Sequence, residues 1–525
     1  MTKDFQSEMS GALLTRVSDI VTVRAGASPD QTALVESSGA WTYRALASAI
    51  AEAEVRLSDA GVRPGDRVMI VCENCRAFVS TLFAVTNLDA WPVLVNARLS
   101  ASEVDKIRDH CGARLVVYTV DASTHAAGHA KRSGASIHSI GDAGSLAMSE
   151  RNDSVAPEPL DADPADRVAA LIYTSGSTGT PKGVMLTHKN LLYMASASAK
   201  IRKLTTIDRL YGILPMSHAV GLSVVLLGSL LSGASVYLSP RFDPMMARRI
   251  LEKEKLTIVL GVPAMFAQMV EYARIRGLKT LDLPHLRIIS SSGAPLHPAT
   301  KAAVEEVFGL VLHNGYGITE CSPTIAQAIL EEPRTDTSVG KILPGLEVKF
   351  IGSDGSDVAP GAVGELHVRG PNVMKGYYRA PEETAAVIDR DGWFNTRDVA
   401  RLEDGFLFIV GRTKELIVHR GFNVYPAEVE AVFSAHPAVA RCAVIGLRRH
   451  GDEDVIAFVQ PAEGVTLDTT ELAEFAASRL ANYKRPAQIH IVKEMPVTPT
   501  GKVAKNELAK LLADPVAAGA RDVAL

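Results

Sequence analysis

Cysteine is scarce, with five in 525 residues, an odd number at irregular spacing. That excludes a disulfide scaffold and fits a reducing compartment. Neither sign of charge dominates. Lys plus Arg total 55 against 59 Asp plus Glu, a formal net charge of −4, so neither nucleic acid nor an anionic membrane is expected as the main partner. The opening residues lack the apolar stretch of a secretory leader. The last four, Asp522 to Leu525, are neither a peroxisomal Ser-Lys-Leu tail nor a prenylation signal, and a cytoplasmic protein is expected. Long uncharged runs are equally rare. Residues 219–238 form one of about 20 residues, the length of a membrane span, but Gly221, Ser223, Gly228, Ser229, Ser232, Gly233 and Ser235 dilute it. Gly233 reads as a helix stop, which predicts a core helix followed by a short buried strand and no integral span.

What is present is ordinary globular material: 47% hydrophobic and 22% charged, at a length that predicts roughly three to four domains or lobes. Over residues 1–400, short apolar runs such as 67–72, 91–95, 114–118, 169–173, 257–260, 286–289 and 310–313 alternate with helical stretches at 102–110, 245–254 and 298–307. This is the pattern of doubly wound parallel sheets whose strands are buried on both faces. Near 344 the texture changes to strands broken by the turns Asp354-Gly355, Pro360-Gly361 and Asp404-Gly405. The expected architecture is α/β: a large N-terminal lobe, residues 1–412, of doubly wound sheets with a small β-barrel subdomain at about 340–412. A small mobile α+β domain follows at 413–525, with helices at 427–434 and 470–480.

The most specific stretch follows the 169–173 strand: Thr174, Ser175, Gly176, Ser177, Thr178, Gly179, Thr180, Pro181, Lys182 and Gly183. Its glycines let backbone approach a ligand closely, its N–H groups can form an anion nest, and its hydroxyls and lysine donate or are positive. A polyphosphate is the expected ligand. Pro181 before the lysine rules out a Walker A loop.

This loop resembles the signature of the adenylate-forming family of acyl-CoA synthetases, adenylation domains and luciferases. Four further segments match in the family's order: 314–320 (Asn314 to Glu320), 393–398 (Trp393 to Asp398), 411–417 (Gly411 to Ile417) and 499–502 (Pro499 to Lys502). The resemblance implies ATP, Mg²⁺ and coenzyme A, with a small carboxylic acid as the other substrate. It implies that Gly293, Ala294 and Pro295 with Tyr316, flanked by Gly315 and Gly317, sandwich adenine, and that Asn314 meets the base's edge. Thr319 and Glu320 are implied at the α-phosphate and Mg²⁺, with Thr174 beside them, and Asp398 and Arg412 at the ribose. Lys502 is implied as the catalytic lysine, Lys414 as a hinge, and Arg420, Gly421 and Phe422 as a coenzyme A contact. The segment 214–222 resembles the lining of the acid site, with His218 as a gate and Val220, Leu222, Ser292 and Ile318 as a mostly apolar wall. No Asp follows His218 to hold an amino acid's ammonium, and no carrier domain follows, so an uncharged aryl or medium-chain aliphatic tail is expected.

Two positions depart from the family. Arg397 stands where Gly is usual before the ribose aspartate, and a positive φ there would strain the turn. Val418 stands where a lysine is often found. The reading is an AMP-forming acid–CoA ligase. Delivery of the acyl group to a carrier-protein pantetheine, oxidation of the adenylate, and a non-enzymatic nucleotide sensor stay open, as does a homodimer. The pair Cys72 and Cys75 has no second ligand pair, so burial rather than zinc is expected, and Cys321 is expected to pack.

Overall fold

The computed structural model describes residues 14–174, 181–352, 354–359, 361–419, 422–449, 452–462, 464–497 and 503–513. Two large sheets form its N-terminal lobe. The first has nine strands, in the order Lys341–Ile342, Thr324–Gln327, Leu312–Gly317, Ile288–Ser291, Ile258–Gly261, Arg209–Gly212, Ser235–Leu238, Thr32–Glu36 and Gly39–Thr42. The second has eight, from Gly376–Tyr377 through Lys182–Thr187, Val168–Thr174, Trp91–Asn96, Arg67–Cys72 and Leu115–Tyr118 to Ser145–Met148 and Ser136–Ser139. Their centres are parallel, and every residue of Arg67–Cys72 and Trp91–Asn96 is buried, as the continuous apolar runs require. The edges are antiparallel, which the βαβ pattern did not announce.

Helix starts follow local chemistry. Ser100 and Glu103 close a capping box at Ala101–Cys111, and Asp243 caps Pro244–Lys253. The uncharged run at 219–238 enters as a π-helix, Val220–Leu227, and continues as Gly228–Ser232. It stops at Gly233 with φ 76° and becomes the buried strand Ser235–Leu238. Gly221 makes this winding possible, because a Cβ there would lie 2.2 Å from the Pro215 carbonyl oxygen. No helix among the described residues is long and apolar enough to cross a membrane. All five cysteines are buried and free. Cys75 accepts a hydrogen bond from Phe78 N at a helix start, and burial pushes its thiol up to about 12.

The β-rich unit hydrogen-bonds as a four-stranded antiparallel sheet in the order Glu347–Ile351, Gly364–Arg369, Phe394–Glu403 and Phe406–Arg412. The first and last of these strands do not pair with each other; Leu407 on the last exchanges backbone hydrogen bonds with Val339 and Gly340, which extends the sheet of the expected small β subdomain. Beyond it, the hairpin Ile417–His419 and Phe422–Val424 leads into a three-stranded sheet, Val439–Arg449, Asp452–Pro461 and Gln488–Ile491. Helices Pro426–Ser434 and Thr469–Ala477 cover it within a core of its own, built on residues such as Phe433, Val444, Val459 and Leu472.

Candidate active site

Strands Val168–Thr174 and Lys182–Thr187 are antiparallel partners, with Thr174 opposite Lys182. Ser175, Gly176, Ser177, Thr178 and Gly179, expected at the phosphates, lie outside the described residues. The third strand at this edge, Gly376–Tyr377, pairs with Lys182–Thr187. It brings in a residue that sequence reasoning missed. Tyr377 donates to Glu320 Oε1 at 2.9 Å, and its ring faces the Lys182 ammonium at 5.1 Å. Lys182 also pairs with Glu383. Burial, then Glu320, pushes the Tyr377 hydroxyl well above its usual range, so it stays a donor. Thr174, Lys182 and Glu320 thus share one edge. Glu320 offers hard oxygen to a divalent cation, and among the described residues no cluster of three or more His, Cys, Asp or Glu competes with it.

The residues expected at the nucleoside lie on Leu312–Gly317, which carries Asn314, Gly315, Tyr316 and Gly317. Asn314 is buried and donates to Thr337 O at 3.0 Å. Tyr316 donates to Asp398 Oδ2 at 2.5 Å, and Arg412 Nε meets Asp398 Oδ1 at 2.9 Å. These residues come from two sheets and span 96 positions of chain, yet converge on one carboxylate that is 2% exposed. Burial, then Asp398, pushes the Tyr316 hydroxyl well up. Burial opposes the Arg412 charge, but Asp398 and Glu415 outweigh it and raise the guanidinium. Gly293, in the loop with Ala294 and Pro295 after Ile288–Ser291, has φ 82°.

Asp398 is aimed by an irregularity. Glu365 pairs with Val399 while His367 pairs with Asn395, so residues 396–398 face Leu366 alone. Arg397 takes the extra position with φ 57°, the left-handed region where an L side chain is strained. Thr396 Oγ1 donates to Leu366 O at 2.8 Å and accepts from Asp398 N at 3.0 Å, and Arg397 N donates to Asn395 Oδ1 at 2.7 Å. Arg397 lies close enough to Tyr377 for its charge to counter part of that hydroxyl's rise.

A cavity of about 30 Å³ lies beside Tyr316 and Gly317 and is lined by Val220 and Ser292 of the expected acid wall. Leu222 is buried beside it in the π-helix, while His218 and Ile318 are half-buried. Arg202 and Gln327, absent from the sequence reading, also line this cavity. Lys414 sits exposed in the turn Thr413–Glu415, directly after the Arg412 strand. Phe422 is 54% exposed and stacks on Tyr483 at 4.5 Å. Arg420, Gly421 and Lys502 lie outside the described residues.

A fold of this kind, with the strand pair Val168–Thr174 and Lys182–Thr187 and a Tyr–Asp–Arg cluster, is that of the AMP-binding enzymes. The family model "AMP-binding enzyme" matches residues 21–378, and that of its C-terminal domain matches 428–502; the chain belongs to this family. Among curated relatives, it is 38% identical to a feruloyl-CoA synthase of an Amycolatopsis species over 93% of this chain and 97% of that one. It is 32% identical to indoleacetate–CoA ligase of Aromatoleum aromaticum over 95% and 98%. Among solved structures, ATP-bound MatB from Rhodopseudomonas palustris superposes with a TM-score of 0.82 at 27% identity, covering 98% of this chain and 100% of that one. MenE, the o-succinylbenzoate coenzyme A synthetase of Bacillus subtilis, in complex with ATP and magnesium, gives 0.79 at 28% over 93% and 99%.

Proposed function

We propose that this protein is an AMP-forming acid–CoA ligase acting on an aryl or other largely apolar carboxylic acid. The observation that carries the reading is the convergence of Tyr316 and Arg412 on buried Asp398. The names of its relatives, which act on ferulate and indoleacetate, favour an aryl acid within that class.

The chemistry runs in two transfers. A carboxylate oxygen of the acid attacks the α-phosphorus of ATP, the bond to pyrophosphate breaks, and an acyl-adenylate forms. The coenzyme A thiolate then attacks the acyl carbon, and AMP departs carrying the former carboxylate oxygen. The protein's part is positioning and charge stabilisation. Tyr316 offers its face to adenine. Asp398 accepts from the ribose hydroxyls while Arg412 holds it charged. Thr174 and Lys182 donate to phosphate oxygens at the step where negative charge gathers there. Glu320 would hold Mg²⁺, which would supply positive charge to the phosphates. Lys502 bridges carboxylate and α-phosphate in the first transfer. A turn about Lys414 then withdraws it and presents Arg420, Gly421 and Phe422 to coenzyme A. Ion pairs from Lys505 to Glu415 and Glu430, each at 2.8 Å, support this, because they tie the C-terminal helix to the segment just past the hinge.

The test is purified protein with MgATP, coenzyme A and acids from propionate through decanoate to benzoate and cinnamates. AMP and thioester in equal amounts, best with an aryl acid, is the expected result. AMP without consumption of free coenzyme A would transfer the reading to a carrier-protein acceptor, and no AMP with any acid would overturn it.

A further inference from the structure

Arg202 closes the helix His188–Ile201 and is 6% exposed. Its Nη1 donates to Ser198 Oγ at 3.1 Å and its Nη2 to Gln327 Oε1 at 3.0 Å. Its Nε is shut away from solvent with no hydrogen-bond partner. Among the described residues no carboxylate pairs with it, and burial alone pushes the guanidinium down to about 10. His313, the nearby titratable group, is buried with an unpartnered Nδ1 and is held below its usual range by burial and then by Arg202. It supplies no counter-charge.

A cation taken out of water without an anion is costly, and this one is held in place deliberately. Gln327 donates to Asn314 O at 3.0 Å and to Ser290 Oγ at 3.3 Å, which fixes its Oε1 toward Arg202. Gly315 makes the room, since a Cβ there would sit 2.5 Å from that oxygen. The cavity that Arg202 and Gln327 line is the one that also touches Val220, Ser292, Tyr316 and Gly317. An acid whose tail enters this cavity meets an unneutralised guanidinium.

Building on the ligase reading above, we propose that Arg202 is a specificity residue selecting acids that carry a second oxygen acceptor, away from the reacting carboxyl. Two kinds of oxygen share this chemistry, a ring hydroxyl or ether and a second carboxylate. The uncharged wall foreseen from Val220, Leu222 and Ile318 then describes only part of the pocket.

The test compares cinnamate, 4-hydroxy-3-methoxycinnamate and 4-carboxycinnamate as substrates of the wild type, Arg202→Met and Arg202→Lys. A hydrogen bond to a charged donor corresponds to roughly 10- to 100-fold, so the wild type should favour one oxygenated acid over cinnamate by about that factor in kcat/KM. Which of the two it favours identifies the acceptor. Arg202→Met should bring the ratio near one while keeping cinnamate turnover, and Arg202→Lys should retain part of it. The ratio is taken within each variant, so partial misfolding does not move it. If Arg202→Met fails to fold, Gln327→Met, which removes the anchor, must lower the ratio instead. Calorimetric binding of the free acids to wild type reads the same preference even if no AMP is made, which separates this proposal from the ligase reading. Equal use and binding of the three acids, or a preference that survives Arg202→Met, would overturn it.

Discussion

Arg397 offers a perturbation whose sign can be worked from the backbone. Its φ of 57° places an L residue where a side chain costs about 1–2 kcal/mol. Replacing it with Gly removes that cost but returns roughly 0.5–1 kcal/mol of unfolded-chain entropy. Arg397→Gly should therefore stabilise the N-terminal lobe by about 0.5–1 kcal/mol, whereas Arg397→Ala, which keeps the strain, should not. In a lobe of this size the gap between the two corresponds to a shift of about 1–3 °C in apparent Tm, readable by scanning calorimetry. Activity should move the other way. The Arg397 charge reaches Tyr377 and hence the Glu320 edge, and a charged contact to phosphate is worth about 1 kcal/mol when partly exposed. Both variants should then raise the KM for ATP by roughly fivefold. Strain kept at a site where it assists binding is the physical logic. Equal stability of Gly and Ala variants, or an unchanged KM in both, would refute it.

Asp398→Asn keeps the shape but leaves Arg412 and the Tyr316 hydroxyl without their carboxylate. It should cost about 2–3 kcal/mol, allowing for the partial exposure of Arg412, and weaken ATP binding at least tenfold by calorimetry. Gly221→Ala would drive a Cβ against the Pro215 carbonyl oxygen; about 1–3 kcal/mol of destabilisation and a changed acid profile are expected, checked by urea unfolding and the acid panel. His188 is buried and accepts from Val17 N at 3.1 Å, and burial, with Arg16 next, holds its pKa down to about 4. The unfolded chain, near 6.5, binds the proton first as pH falls. Stability present above 6.5 is thus lost down to about 4, by roughly 3 kcal/mol at most, and a pH series on His188→Asn should flatten that slope.

Much of this architecture was readable because it rests on local rules. Continuous apolar runs marked the buried parallel strands, Gly233 ended the helix before Ser235–Leu238, and the helices expected at 427–434 and 470–480 lie within a residue or a few of Pro426–Ser434 and Thr469–Ala477. What escaped depends on distant partners. The strand Lys182–Thr187 has an apolar run of only three residues, Val184 to Leu186, and its register comes from Val168–Thr174 and Gly376–Tyr377. The π-winding at Val220–Leu227 has the same composition as an α-helix and shows only through the contact at Gly221. At the site, Tyr316, Asp398 and Arg412 were legible as motif residues. Tyr377 and Arg202 were not, because a tyrosine in a short strand and a cation after a helix look like ordinary solvent-facing or core positions. Arg202 is buried by Gln327, 125 residues away in the chain, and no local pattern carries that.

The central claim is that a carboxylate oxygen is joined to the α-phosphorus within this site. Running the reaction with an acid labelled with ¹⁸O in both carboxyl oxygens, then weighing AMP and pyrophosphate by mass spectrometry, tests it directly. The account predicts one labelled oxygen in each AMP and none in pyrophosphate. Unlabelled AMP, or label appearing in inorganic phosphate beside ADP, would contradict it.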